Sequence, residues 1–126
     1  MIKKLLYIFI LFFLFTNLFA KSEHIEEGID LYNKSKFEDA KFKFEQDIVF
    51  NPKSELSYLY LSKIFNKQDK KRLEEKNLNT VMLLNPKNEE AVYNLARLKL
   101  RSSDYEKSKV LNKKLKSCLL YTSPSP

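Results

Sequence analysis

The chain is almost without glycine, histidine and cysteine: its 126 residues hold one of each. A single glycine, Gly28, cannot write a GxGxxG turn or a P-loop, both of which need several glycines to bring backbone N–H groups against phosphate. Its scarcity also speaks against a turn-rich β fold, where glycine supplies the positive φ of tight turns. One imidazole, His24, cannot build a Cys/His metal site, and no serine has an evident base partner for triad chemistry. A lone thiol, Cys118, leaves no disulfide to form. The paired acids Glu26-Glu27, Glu74-Glu75 and Glu89-Glu90 are consecutive, so on helices their side chains diverge by about 100° and belong to solvated faces. No catalytic, cofactor-binding or metal-binding residue is assigned, and no enzyme is read in residues 21–117.

What is present is charge, apolar periodicity and one repeated tripeptide. Charged residues make up 31% and hydrophobic ones 44%, and the formal net charge is +7. Lys3 and Lys4 belong to the leader described below, and without them the excess is +5. An excess of that size, taken as spread along the chain, speaks for solubility, and no nucleic-acid partner is expected.

Residues 1–20 begin with Lys3-Lys4, continue through the apolar run Leu5 to Phe15 and end at Leu18-Phe19-Ala20 before Lys21-Ser22-Glu23. This is the layout of a secretory signal peptide, with Ala20 at the expected cleavage point. Thr16 and Asn17 interrupt the apolar run, leaving it shorter than the roughly 20 residues of a spanning helix. The expectation is export, to the periplasm of a bacterium. The alternative is a membrane anchor formed by an uncleaved leader.

Asn51-Pro52-Lys53 recurs as Asn85-Pro86-Lys87, and each tripeptide closes a helical pattern. The interval between the two copies sets a period for the chain. Proline lacks an N–H and pushes the residue before it out of the α region, so each tripeptide stops a helix. Ile25, Ile29, Leu31 and Tyr32, then Phe37, Ala40, Phe44 and Ile48, recur at three-and-four spacing, as in two amphipathic helices. Six helices are predicted, near residues 22–34, 37–50, 54–67, 70–84, 88–101 and 104–117. Ser35 with Glu38 and Ser103 with Glu106 have capping-box spacing, and Ser54 and Asn88 are placed to cap the helices that follow them.

Gly28, Leu31, Phe37, Ala40, Phe44 and Pro52 resemble the tetratricopeptide repeat, W-x2-L-G-x2-Y, then A-x3-F, then P. A unit of that family is about 34 residues long, which is the interval from Asn51 to Asn85. The period carries the resemblance through Tyr58, Leu61, Ser62, Phe65, Leu78, Val81 and Pro86, then through Val92, Leu95, Ala96, Tyr105, Ser108 and Leu115. His24 and Glu27 depart from the pattern in the first unit, Lys71 and Glu74 in the second, and Lys99 in the third. The resemblance implies an all-α fold of antiparallel helix pairs stacked as a right-handed superhelix, with repeats at about 21–54, 55–88 and 89–117. It also implies a module for protein–protein interaction or scaffolding, whose groove is lined by the first helix of each unit. The groove residues it designates are Ile29, Asn33, Leu59, Lys63, Lys67, Tyr93, Arg97 and Arg101.

Lys63 and Lys67 stand one turn apart, as do Arg97 and Arg101, and the two pairs are one period apart. With Leu59 and Tyr93 as apolar neighbours, they form a candidate site for an acidic or carboxylate-bearing peptide. The family's chaperone-tail clamp, a Lys and an Asn one turn apart, is matched only by Asn94. No cofactor is expected, and a membrane is met only through the leader. The alternative reading is the accessory region of a longer envelope enzyme.

Cys118-Leu119-Leu120-Tyr121-Thr122-Ser123-Pro124-Ser125-Pro126 departs from the helical pattern and resembles a translated transposase sequencing adaptor. A third Asn-Pro stop falls due by the period at 119 and 120, where Leu119 and Leu120 stand. The expectation is an artefact over residues 118–126 that interrupts the third unit.

Overall fold

The computed structural model describes residues 1–122, apart from the side chains of 10–22 and 120–122. The side chain of Ala20, at the expected cleavage point, and residues 123–126 lie outside what is described. Among the described residues there are six helices and no strand: α1 (Ile2–Asn33), α2 (Phe37–Phe50), α3 (Glu55–Lys67), α4 (Lys71–Leu84), α5 (Glu89–Arg101) and α6 (Tyr105–Thr122). The all-α expectation holds, and the four inner helices lie within a residue of their predicted bounds. Among the described residues, no helix is long and apolar enough to cross a membrane.

Two ends differ from expectation. Helix α1 begins at Ile2 and runs unbroken into the first predicted helix, because no proline interrupts residues 2–33. Helix α6 runs through Cys118 to Thr122, where a break in the helical pattern was expected. Leu119 and Leu120 are good helix formers, and the first proline after them is Pro124.

Both Asn-Pro stops behave as read. Asn51 and Asn85 are the C-caps of α2 and α4, with φ/ψ of −133°/80° and −140°/92°, the extended backbone that a following proline imposes. Their carbonyls accept from the N–H groups of Ser54 at 3.0 Å and Asn88 at 3.1 Å, so one turn is built twice.

The connections inside each helix pair are also built alike, by a device the periodicity did not reveal. Ser35, Asp69 and Ser103, each one period from the next, are the three non-glycine residues with positive φ among the described residues, at 59°, 53° and 59°. The N–H groups of Lys36, Lys70 and Asp104 reach back to the carbonyls of Leu31, Phe65 and Lys99, each at 2.9 Å. Those of Ser35, Asp69 and Ser103 reach Tyr32, Asn66 and Leu100. These are the two bonds of a Schellman motif, made three times. Ser35 and Ser103 therefore end helices, and the capping boxes expected of them do not form. The N-cap of α2 is Lys36, without a side-chain bond. Before α6 the cap is Asp104, whose Oδ1 accepts from the Lys107 N–H at 3.3 Å. Asn88 caps α5 as expected, accepting from the Ala91 N–H at 2.7 Å.

The helices form two compact units, Met1–Ser54 and Glu55–Pro126. In the first, α1 packs on α2 around Ala40 and Phe44, both fully buried. Gly28 lies against the Phe44 ring so closely that a Cβ there would stand 2.8 Å from Cε1. Tyr32 meets Phe37 edge to face at 5.5 Å, and His24 stacks on Phe50 at 6.0 Å. In the second unit α3 packs on α4, α4 on α5 and α5 on α6. Its core joins Leu59, Leu78, Val81, Ala91, Leu95 and Leu98, with Tyr58, Met82 and Leu111 packed against it. Each large side chain in this group contributes on the order of 1.5–3 kcal/mol by leaving water. The position of Gly28 recurs as buried Ser62 and Ala96, small residues that let helices approach.

Candidate functional site

The surface of the second unit follows from the period of its first helices. Lys63 on α3 and Arg97 on α5 are one period apart, and each lies over a tyrosine of its own helix. Lys63 Nζ is 4.5 Å from the Tyr60 ring centroid, and Arg97 Cζ is 5.9 Å from that of Tyr93. A ring one turn away attracts a cation through its negative face and narrows the positions its flexible stem visits. Tyr93 is 52% exposed, and Arg97 and Lys67 are exposed beside it in sequence register. Lys63 also reaches from α3 to the Glu90 carboxylate on α5 at 2.7 Å, which ties the two helices at this face.

The remaining residues expected at this face are placed otherwise. Leu59 is buried in the core with Leu78 and Val81, because α4 and α5 close over it. It offers no apolar surface to a ligand. Arg101 turns to the Glu74 carboxylate, 3.2 Å away, with Asp69 at 3.9 Å. Its charge is therefore satisfied within the protein. Ile29, half-buried, and Asn33, exposed, belong to the first unit. Of the six residues in the candidate site, Lys67, Tyr93, Arg97 and Arg101 are exposed, the last with its guanidinium paired to Glu74, while Lys63 is partly covered and paired and Leu59 is buried.

Glu74 corrects a second expectation. The sequence puts it on a solvated face, and instead its side chain is 1% exposed. By the period it stands where the first unit has Ala40 and the third has Ser108, both buried. An isolated carboxylate there would carry a large desolvation cost. Asn66 Nδ2 donates to its Oε1 at 2.8 Å, and the Arg101 guanidinium donates to Oε2. Beside it, Glu75 accepts from Lys99 Nζ at 2.6 Å, and Lys99 is itself only 9% exposed. Glu74 and Lys99 are the departures in the second helix of one repeat and the first helix of the next. The structure joins their neighbourhoods across α4 and α5 through two ion pairs. Their mismatch to the repeat was the available signal, but the pairing needed the helices in place.

The charge balance differs between the units. Residues 1–54 hold eight basic and eight acidic side chains, whereas residues 55–126 hold fifteen and eight, an excess of seven. The whole net charge of +7 thus belongs to the second unit. In that unit five of the eight acids, Asp69, Glu74, Glu75, Glu90 and Asp104, already hold a lysine or arginine.

No family model and no curated protein matches the chain. Solved structures do. One is the Arabidopsis OM64 TPR domain, 17% identical with a TM-score of 0.74, over 81% of this chain and 84% of that one. Another is a chain of a CopN-Scc3 complex, 12% identical with a TM-score of 0.72, over 78% of this chain. The present chain spans 58% of the length of that second neighbour. At these identities the likeness is one of fold, and the protein has the all-helical fold of a tetratricopeptide-repeat domain.

Proposed function

We propose that the protein is an exported interaction module that holds an acidic, extended peptide against the α3/α5 face of its second unit. The observation that carries the reading is the pair of tyrosine-backed cations, Lys63 on Tyr60 and Arg97 on Tyr93, one repeat apart. Arg97 supplies a planar fork suited to a carboxylate, and Lys67 a second cation one turn from Lys63. Glu90 occupies Lys63 in the free protein, so an incoming carboxylate competes with it for that ammonium. This makes Arg97 and Lys67 the first contacts. The neighbour solved in a complex, CopN-Scc3, is compatible with a protein partner for this fold.

The test is calorimetric titration of the full chain with a glutamate-rich peptide free of large apolar residues. Arg97→Glu with Lys67→Glu is expected to weaken binding several-fold at low salt, with a smaller difference as screening grows. Equal affinity in the double variant and the parent protein would remove the reading. Export is tested separately by mass spectrometry of the mature protein, which is expected to begin at Lys21. A chain that retains residues 1–20 would replace export of a free module with anchoring.

A further inference from the structure

On α5, Leu95 and Lys99 stand about 200° from Tyr93 and Arg97 respectively, since two residues of helix turn that far. Leu95 gives the floor of a cavity of about 510 Å³ between α4 and α6, on the other side of α5 from the site proposed above, and Lys99, paired with Glu75, lines the same cavity. Its volume is in the roughly 300–1,000 Å³ range of ligand pockets. Met82 of α4 and Val110 and Leu111 of α6 make its walls apolar, and Val110 is 68% exposed at the rim. A shallower depression continues over α4, with Arg72, Lys76 and Leu83 along it, and Leu83 is 82% exposed. Two apolar side chains that project into water, one on each helix, thus border an apolar floor.

The charge around this floor has one sign left over. The two depressions together are lined by four cations, Arg72, Lys76, Lys99 and Lys107, against two carboxylates, Glu75 and Glu106. Glu75 is held by Lys99 at 2.6 Å, and Lys107 lies 3.4 Å from Asp104 in an exposed pair that a ligand carboxylate can displace. Further along α6, Lys114 is seven residues from Lys107 and so returns to the same side of the helix. Helix α6 carries five lysines and one acid, in the unit that holds all of the net charge.

We infer that the α4/α6 groove is a second docking surface, and that its occupant is an acidic amphipathic helix of a partner protein, with leucine-type side chains on the floor and carboxylates toward the lysine and arginine rims. An apolar floor with a cationic border selects that combination over an apolar or a basic segment. It is distinct from the extended acidic peptide of the α3/α5 face, which meets cations backed by tyrosine.

The probe is a synthetic, fluorescently labelled helical peptide with leucines at i, i+4 and i+7 and glutamates on its other faces. Its counterpart replaces every glutamate with lysine. Anisotropy titrations use the full chain, Val110→Glu with Lys107→Glu, and Arg97→Glu with Lys67→Glu. The groove variant is expected to lose at least tenfold in affinity for the glutamate probe, the α3/α5 variant less than twofold, and the lysine probe is expected not to bind. Equal binding by the groove variant, equal binding of the lysine probe, or a loss confined to the α3/α5 variant would each overturn the inference. Self-association abolished by Val110→Glu, without probe binding, would give the face to a second copy of the chain and overturn it too. Circular dichroism checks the fold, and Val110→Ser replaces Val110→Glu if the charge unfolds α6.

Discussion

The Arg101 guanidinium on α5 donates to the buried Glu74 carboxylate on α4 across 3.2 Å, and Asn66 on α3 donates to the other oxygen of that carboxylate. Three helices therefore meet at one acid, at a position where the neighbouring repeats carry alanine and serine. Removing the arginine leaves a charge that is 1% exposed without its counter-ion. Arg101→Gln is expected to lower stability by about 2 kcal/mol, below the roughly 3–5 kcal/mol of a fully buried pair because the Arg101 side chain is 34% exposed. Glu74→Ala with Arg101→Gln should recover much of the loss, since both charges are then gone. Urea denaturation of the two single variants and the double variant measures the coupling. Additive losses would separate the two residues.

The three Schellman turns rest on serine, aspartate and serine in the left-handed region. A side chain there costs roughly 1–2 kcal/mol that glycine avoids, offset in part by the greater freedom of glycine in the unfolded chain. Ser35→Gly and Ser103→Gly are expected to raise the melting temperature by a few degrees each. Asp69→Gly should gain less, because Asp69 also lies 3.9 Å from Arg101. Calorimetric melts of the three variants check the order, and Ser35→Val in the same series should melt lower than the parent.

Gly28 sits mid-helix, where alanine is intrinsically better by about 1 kcal/mol. The added Cβ would meet the Phe44 ring at 2.8 Å, and Phe44 is fully buried. Overpacking of this kind costs typically about 1–3 kcal/mol, so sterics outweigh propensity. Gly28→Ala is expected to destabilise, and Gly28→Ala with Phe44→Leu to be less destabilised than the sum of its parts. Denaturation midpoints of the singles and the double decide it.

Asn88 caps α5 through its oxygen and donates through Nδ2 to Glu55 Oε1, which also accepts from Asn85 at 3.1 Å. The loop between α4 and α5 is thereby fastened to the start of α3. Asn88→Ala is expected to cost about 1–2 kcal/mol, at the upper end for a helix cap because two bonds are lost. Asn88→Asp keeps the cap and places a second carboxylate near Glu55, so it should fall between the two. Hydrogen exchange at the first turn of α5 reports the local effect.

Much of the helix layout was legible in the sequence, because its causes are local. Apolar spacing and the two Asn-Pro stops need only the residues within a few turns. Asn88 was legible as a cap for the same reason. Ser35 and Ser103 read as helix starts because a serine followed three residues later by glutamate has the spacing of a capping box. The choice between that and a Schellman turn depends on which helix claims the connecting backbone. The candidate site was less legible. Lys63, Lys67, Arg97 and Arg101 share one period, yet sequence spacing cannot show that Arg101 turns to Glu74 or that Leu59 is covered by two following helices.

The sequence by itself determined an all-helical repeat with one fixed period, since helix stops and small buried positions recur at the interval from Asn51 to Asn85 and short-range sterics enforce them. Tertiary structure decided which charges are free. Ion pairs form between residues 24 and 27 positions apart, as in Lys99 with Glu75 and Arg101 with Glu74. Only the packing of α4 against α5 brings those groups within reach, and the burial of Glu74 and Lys99 makes each costly to leave without its partner. The cations left over, Arg97 and Lys67 on one face and Arg72 and Lys114 near the other groove, are what the fold leaves to a partner.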